Sequence, residues 1–173
     1  MNLEKILAQH KYCFICKGNL AEKGFNYSQC ETCGYRNYIN PAPTTGALLI
    51  NEKGEILLVE RAVDPAKGLL DTPGGFVDVG ENAEDGLMRE LKEELGVEIK
   101  DLKYFGSFPG TYVFDGVKIV TIGLIYTGKI DDQKITPSDD VSGYKFFNPS
   151  QIPYEKLAFI ELEGAIKNYI STL

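Results

Sequence analysis

The chain has 173 residues, of which 43% are hydrophobic and 25% charged, and its formal net charge is −7. This composition is that of a globular protein with one domain of moderate size, or one domain and a small module. A negative charge argues against broad nucleic-acid binding, which requires a basic surface. No apolar run approaches the about 20 residues of a membrane span. Residues 1–10 form a short amphipathic segment rather than a secretion signal. We therefore expect a cytoplasmic protein.

Two Cys-x-x-Cys pairs near the start of the chain indicate a metal site. The four cysteines are Cys13, Cys16, Cys30 and Cys33. Without a secretion signal, disulfides are not expected, whereas two such pairs supply the four sulfur ligands of a closed zinc site. A redox pair or free buried thiols are the alternatives. Because four thiolates leave no coordination position open, we expect structural Zn²⁺ in a zinc ribbon over residues 1–40. This ribbon could support the rest of the chain or a homodimer.

After the proline-containing segment 40–45, the chain alternates between strand and helix patterns. Two apolar runs separated by the turn at residues 51–54 predict a hairpin, and Asp115-Gly116 predicts a second turn. The expected strands are 46–50, 56–59, 103–108, 111–114, 117–127 and 145–147, and the expected helices are 83–95 and 154–171. Mixed strands with two helices on opposite faces predict an α/β sandwich over residues 41–173.

The helix expected over residues 83–95 carries closely spaced acids. Glu90, Glu93 and Glu94 are three or four residues apart and therefore share one helix face. Like charges at this spacing repel by roughly 0.2–0.5 kcal/mol per pair, and a hard cation such as Mg²⁺ would remove that repulsion. A solvated acidic helix face is the ordinary alternative. The preceding Gly74-Gly75 pair predicts a sharp turn that brings the backbone close to a ligand.

From Gly75 to Val97 the sequence follows the pattern glycine-x5-Glu-x7-Arg-Glu-apolar-x-Glu-Glu-x-Gly-apolar. It thereby resembles the signature of the Nudix hydrolases at every specified position. The resemblance implies a Nudix-type α/β/α sandwich with a mixed sheet over residues 41–173. It also implies hydrolysis of a diphosphate bridge in a small nucleotide substrate.

The same resemblance implies roles for the central residues of the motif. Mg²⁺ or Mn²⁺ would be bound by Glu93 and Glu94. Glu90 would be either a further ligand or the base that activates water, and Arg89 would orient it. We therefore expect Glu90, Arg89 and Glu93 to be the catalytic residues.

Three residues outside this core are implied as additional metal ligands. Glu81 would assist through a metal-bound water, and the carbonyl of Gly74 would join the coordination shell. Many members use another carboxylate six residues before an aromatic residue, and Asp140 stands six residues before Phe146. A polar loop is the alternative for Asp140.

A zinc ribbon joined to such a domain also resembles the NADH pyrophosphatases, which carry a downstream signature, Ser-Gln-Pro-Trp-Pro-Phe-Pro. In the comparable place, residues 106–112 read Gly-Ser-Phe-Pro-Gly-Thr-Tyr, and the chain has no tryptophan. We therefore expect an ADP-ribose-like substrate, with NADH or NAD as the alternative. A non-catalytic nucleotide sensor or zinc-ribbon adaptor is the alternative of another class, although such proteins usually lose motif glutamates that are all present here.

Overall fold

The computed structural model describes residue 6, residues 9–131 and residues 134–173, so most of the amphipathic segment expected over residues 1–10 lies outside the described residues. The chain divides into two compact units. One comprises Met1–Pro41 with Tyr112–Val120, and the other comprises Ala42–Thr111 with Thr121–Leu173.

The first unit is built on a three-stranded antiparallel sheet in the order β1-β2-β3. Its strands are β1 (Leu20–Gly24), β2 (Tyr27–Cys30) and β3 (Arg36–Tyr38). Cys30 ends β2, and the backbone turns tightly after it because the Gly34 N–H donates to the Cys30 carbonyl at 3.0 Å. One pair of cysteines therefore spans the turn between β2 and β3.

The larger sheet has six strands in the order β6-β5-β4-β8-β7, and β9 pairs with β5. β4 and β8 run parallel, whereas β5 is antiparallel to β4, β6 and β9. The strands are β4 (Ala42–Ile50), β5 (Ile56–Arg61), β6 (Leu70–Asp71), β7 (Lys103–Phe114), β8 (Val117–Lys129) and β9 (Val141–Phe147). The helices are α1 (Ala83–Leu95) and α2 (Ile160–Ile170).

Alternating residues of the central strands bury two separate cores. Ala47 and Leu49 of β4 join the leucines of α1, whereas Leu48 joins Leu162 and Ile166 of α2. Because neighbouring strand residues point to opposite faces, the two helices cover the two faces of the sheet. Each fully buried leucine contributes about 1.5–3 kcal/mol. The predicted α/β sandwich is confirmed.

The structure corrects several predicted boundaries. β4 and β9 each begin four residues earlier than predicted, at Ala42 and Val141, and two larger differences concern β7 and the last helix. The strands expected over 103–108 and 111–114 form one continuous strand, because β7 is at the end of the sheet order and an edge position tolerates Pro109. The last helix begins at Ile160, not at residue 154. Before it the chain is extended, since Leu157 bridges to Leu70 and the Ala158 N–H donates to the Leu70 carbonyl at 2.8 Å. Short 3₁₀ helices occupy Pro149–Gln151 and Tyr154–Lys156.

The turn predicted at Asp115-Gly116 is confirmed, because both residues have positive φ and connect β7 to β8. Among the described residues, no helix combines the length and the apolar character that crossing a membrane would need.

Candidate active site

Capping residues at both ends of α1 fix where the helix begins and ends, and therefore which side chains lie on each of its faces. The Asn82 side chain accepts a hydrogen bond from the Asp85 N–H at 2.8 Å and caps the first turn. Gly96 ends the helix in the left-handed conformation, with φ of 68°. Leu87 and Leu91 are completely buried. The helix is therefore held on the sheet with its acidic residues along the border of the core.

Arg89 gathers three of the predicted acidic residues. Its Nη2 lies 2.8 Å from Glu81 Oε1, and its Nη1 lies 2.8 Å from Glu90 Oε1 and 3.0 Å from Glu93 Oε2. Its Nη2 also donates to the Phe76 carbonyl at 3.2 Å. The hydrogen bond from Arg89 lowers the pKa of Glu81. One guanidinium therefore positions three carboxylates, and it neutralises only one of their charges.

Glu94 is the buried member of the acidic cluster. Glu94 is only 7% exposed, and its Oε2 atom accepts a hydrogen bond from the Gly74 N–H at 2.9 Å. Burial, together with the nearby carboxylates of Glu90, Asp71 and Asp140, raises the pKa of Glu94 to about 8, although the hydrogen bond from Gly74 acts in the opposite direction. Because a buried carboxylate without a cation is costly, this position has the chemistry of a hard-cation ligand.

The loop before the helix is compatible only with glycine. Gly74 has φ of +138°, and a Cβ there would overlap the Thr45 carbonyl. A Cβ on Gly75 would overlap the Glu90 carboxylate. The loop therefore brings the Gly74 amide and the Phe76 carbonyl directly against side chains of the acidic helix.

Asp140 follows a loop that is tied to the end of α1. The Ser138 N–H donates to the Glu94 carbonyl at 2.9 Å, and the Thr136 N–H donates to the Leu95 carbonyl at 2.8 Å. The Asp140 residue is exposed, and its carboxylate is near enough to raise the pKa of Glu94. The loop that carries Asp140 therefore lies beside the end of the motif helix.

Sequence reasoning did not identify Asp71 as part of this electrostatic environment. Its Oδ2 lies 3.1 Å from Arg61 Nη1. Burial raises the pKa of Asp71 to about 6, and the favourable charge of Arg61 does not cancel that effect. Asp71 in turn raises the pKa of Glu94. The sequence feature that could have identified Asp71 is its position as an acidic residue directly before the loop Thr72–Gly75.

The four cysteines form a compact cluster in the first unit. Their Sγ atoms all lie within 4.8 Å of one another, with 3.4 Å between Cys16 and Cys30 and 3.7 Å between Cys13 and Cys33. All four are free thiols, and the Cys33 N–H lowers the pKa of Cys30 to about 6. A tetrahedral ion with bonds of about 2.3 Å places its sulfur ligands about 3.8 Å apart. The cluster could therefore hold a metal ion of that size.

Comparison with known proteins places this arrangement in a family. The profile of the NUDIX domain matches residues 40–166. The chain is 33% identical over 138 residues to the ADP-ribose pyrophosphatase of Methanocaldococcus jannaschii, covering 79% of this chain and 77% of that protein. It is 35% identical over 115 residues to the NAD-capped RNA hydrolase NudC of Haemophilus influenzae, covering 65% of this chain and 43% of that protein. The chain thus spans less than half of the NudC sequence that it matches.

The fold is also found in solved structures. A NUDIX hydrolase from Nitrosomonas europaea superimposes with a TM-score of 0.66 at 22% identity, covering 93% of this chain and 90% of that chain. At this identity the likeness concerns the fold. Together with the profile match over most of the chain, it confirms the resemblance read from the motif: the chain belongs to the NUDIX family.

Proposed function

We propose that this chain hydrolyses the diphosphate bridge of a nucleoside diphosphate derivative, and that its preferred substrate is similar to ADP-ribose. The observation that carries the proposal is the burial of Glu94 beside Glu90, with the Gly74 N–H as its hydrogen-bond donor. Burying carboxylates without a compensating cation lowers the stability of a fold, and acids of this kind occur most often at functional sites.

The acidic cluster fits Mg²⁺ or Mn²⁺. Glu93 and Glu94 would hold the ion, with Glu81 and the Gly74 carbonyl in supporting positions and Glu90 beside it as the base. Asp140 would complete the ligand set from the loop that is tied to the end of α1. Hard divalent cations take oxygen ligands of this kind. When bound, the ion would supply positive charge against the diphosphate oxygens.

Arg89 and Glu90 would prepare the water. Arg89 holds Glu90 at 2.8 Å and also contacts Glu81 and Glu93, which restricts where the Glu90 carboxylate points. Burial raises the pKa of Glu90, so its carboxylate is a stronger base than one in water. We assign Glu90 to accept the proton of the attacking water, whose oxygen forms the new P–O bond while a P–O bond of the bridge breaks.

The choice of ADP-ribose rests on two observations. The relative named ADP-ribose pyrophosphatase aligns over 77% of its own length, whereas the NAD-capped RNA hydrolase aligns over 43%. In addition, residues 106–112 lack the signature of the NADH pyrophosphatases. NADH or NAD is the second candidate substrate, because the relative with the higher identity bears a name based on NAD.

For the first unit we propose a structural role. Residues 1–40 would form a zinc ribbon, with Zn²⁺ bound by Cys13, Cys16, Cys30 and Cys33, and residues 41–173 would form the catalytic domain. Four thiolates leave no open position for water, so this ion would stabilise the module rather than take part in hydrolysis.

A substrate screen tests the proposal. The purified chain with Mg²⁺ is given ADP-ribose, NADH, nucleotide sugars, dinucleoside polyphosphates and nucleoside triphosphates, and the phosphorylated products are separated and quantified by ion-exchange chromatography. We expect ADP-ribose to give AMP and ribose 5-phosphate, with no reaction when the metal is chelated. A kcat/KM for NADH about tenfold above that for ADP-ribose would reverse the substrate assignment. No turnover of any compound would favour a nucleotide sensor.

A further inference from the structure

The carboxylate of Glu161 is not used by the site described above. Glu161 lies in the first turn of α2. Its Oε2 atom is buried, and no hydrogen-bond partner for it is found among the described residues. Buried polar atoms nearly always have a partner, so a buried acceptor that lacks one indicates a donor that arrives from elsewhere.

Glu161 lies against the strand segment that stands where the NADH pyrophosphatases carry their signature, residues 106–112. A Cβ on Gly110 of β7 would overlap the Glu161 carboxylate and would come 2.8 Å from Thr121 Oγ1 of β8. Phe108 lies on the same face of β7, two residues before Gly110, and a Cβ on Gly164 would meet its ring at 3.7 Å. The Glu161 carboxylate therefore occupies the space that a side chain at position 110 would fill.

Glu161 is also connected electrostatically to the acidic cluster. Its charge raises the pKa of Asp71, and the charge of Asp71 raises the pKa of Glu94. Asp71 is therefore electrostatically coupled to both Glu94 and Glu161. Arg61 pairs with Asp71, so the Glu161 carboxylate beside them repels phosphate, and the part of a substrate that suits it is the uncharged nucleoside.

From this geometry we infer that Glu161 is a specificity-determining residue that accepts a hydrogen bond from a donor on the nucleoside part of the substrate. The donor is the exocyclic amino group of the base or a ribose hydroxyl, both of which are uncharged N–H or O–H groups. The inference rests on the proposed hydrolase function. A site built around an acceptor discriminates strongly against analogues that lack the donor, because the acceptor is then left buried and unpaired.

Paired substrates and a matched variant test this role. We would compare kcat/KM for ADP-ribose, its hypoxanthine analogue, which lacks the amino group, and its analogues lacking a single hydroxyl of the adenosine ribose. Each is measured with the unmodified chain, with Glu161→Met, and with Glu163→Met as the control on the same helix. Glu163 pairs with Lys167 and is partly exposed. Glu161→Met keeps side-chain length and removes the acceptor.

We expect the unmodified chain to favour ADP-ribose over one of these analogues by about tenfold or more. Glu161→Met should reduce that preference to about threefold or less, and Glu163→Met should retain it. The analogue whose preference is lost identifies the donor. Thermal stability should not fall in Glu161→Met, since a buried carboxylate is removed.

Two results would overturn the inference in different ways. If Glu161→Met lowers kcat/KM for every compound by the same factor, or leaves all preferences intact, Glu161 has no role in specificity while the hydrolase function stands. If the unmodified chain hydrolyses none of the compounds with Mg²⁺, the proposed function and this inference both fall.

Discussion

The cysteine cluster and the acidic cluster differ in how their ligand atoms are held. The four Sγ atoms lie within 4.8 Å of one another, as the ligands of one small ion do. The carboxylates of the acidic cluster are instead held by other groups. Arg89 contacts Glu81, Glu90 and Glu93, and the Gly74 N–H contacts Glu94.

This difference shows what kind of ion each cluster suits. Four thiols this close together can surround an ion completely and keep it, which suits a structural metal. Carboxylates that already share Arg89 are partly neutralised, so their ion would be bound less tightly and could arrive with a substrate that brings its own negative charge. The following predictions test that contrast, beginning with the largest effect.

Glu94→Gln should lower kcat/KM for the best substrate by about 100-fold or more, because the amide cannot supply the charge that a divalent cation needs. The Gln oxygen can still accept the hydrogen bond from Gly74, so the fold should persist. Without metal, the melting temperature should be unchanged or higher, since a buried charge is lost. Steady-state kinetics and thermal unfolding measure both effects.

Glu155→Gln, at an exposed position on the 3₁₀ helix Tyr154–Lys156, is the control for Glu94→Gln and should leave both quantities unchanged. Glu93→Gln should also abolish most turnover. Near-normal hydrolysis by either motif variant would rule out its assignment as a metal ligand.

Cys30→Ser should lower bound zinc from about one ion per chain to about one tenth of that, because a structural site is formed by all four ligands together. Elemental analysis of the purified protein measures the ion, and circular dichroism reports the loss of structure in the first unit. Glu31→Gln, at an exposed neighbouring position, should retain zinc. Two disulfides in the freshly purified, unmodified chain would disprove the zinc site.

Gly75→Ala should lower kcat/KM by about 10- to 100-fold, since the added methyl group would displace the Glu90 carboxylate. Gly143→Ala on β9 is the matched control, because a Cβ there would have no heavy atom within 4 Å. It should keep full activity. Equal activity of the two variants would show that the position of Glu90 is not critical.

The last prediction concerns stability rather than turnover, through its dependence on pH. Asp71 keeps its proton in the folded state up to pH about 6, whereas its ordinary pKa is 3.8. Between these values the folded state binds more protons than the unfolded state, so the free energy of unfolding falls as pH rises, by up to about 3 kcal/mol. Asp71→Asn should flatten this part of the curve in urea titrations of metal-free protein. An unchanged slope would contradict the raised pKa.

The parts of the molecule that sequence predicts well depend on short-range spacing. The extent of α1 follows from its apolar repeat and from Gly96, and the clustering of Glu90 and Glu94 follows from helix geometry. The continuity of β7 through Pro109 could not be predicted, since it depends on the edge position of that strand. Likewise, the contact of Glu161 with Gly110 joins distant segments, and no local pattern encodes it.

The hydrogen bonds from Thr136 and Ser138 to the last carbonyls of α1 couple the loop before Asp140 to the stability of the motif helix. Any ligand that draws Asp140 toward the acidic cluster must either keep these bonds or break them. If they are kept, ligand binding stabilises the closed loop, and hydrogen exchange at the Thr136 and Ser138 amides slows by the factor that this stabilisation predicts. These two amides therefore act as reporters of site occupancy that need no catalytic turnover.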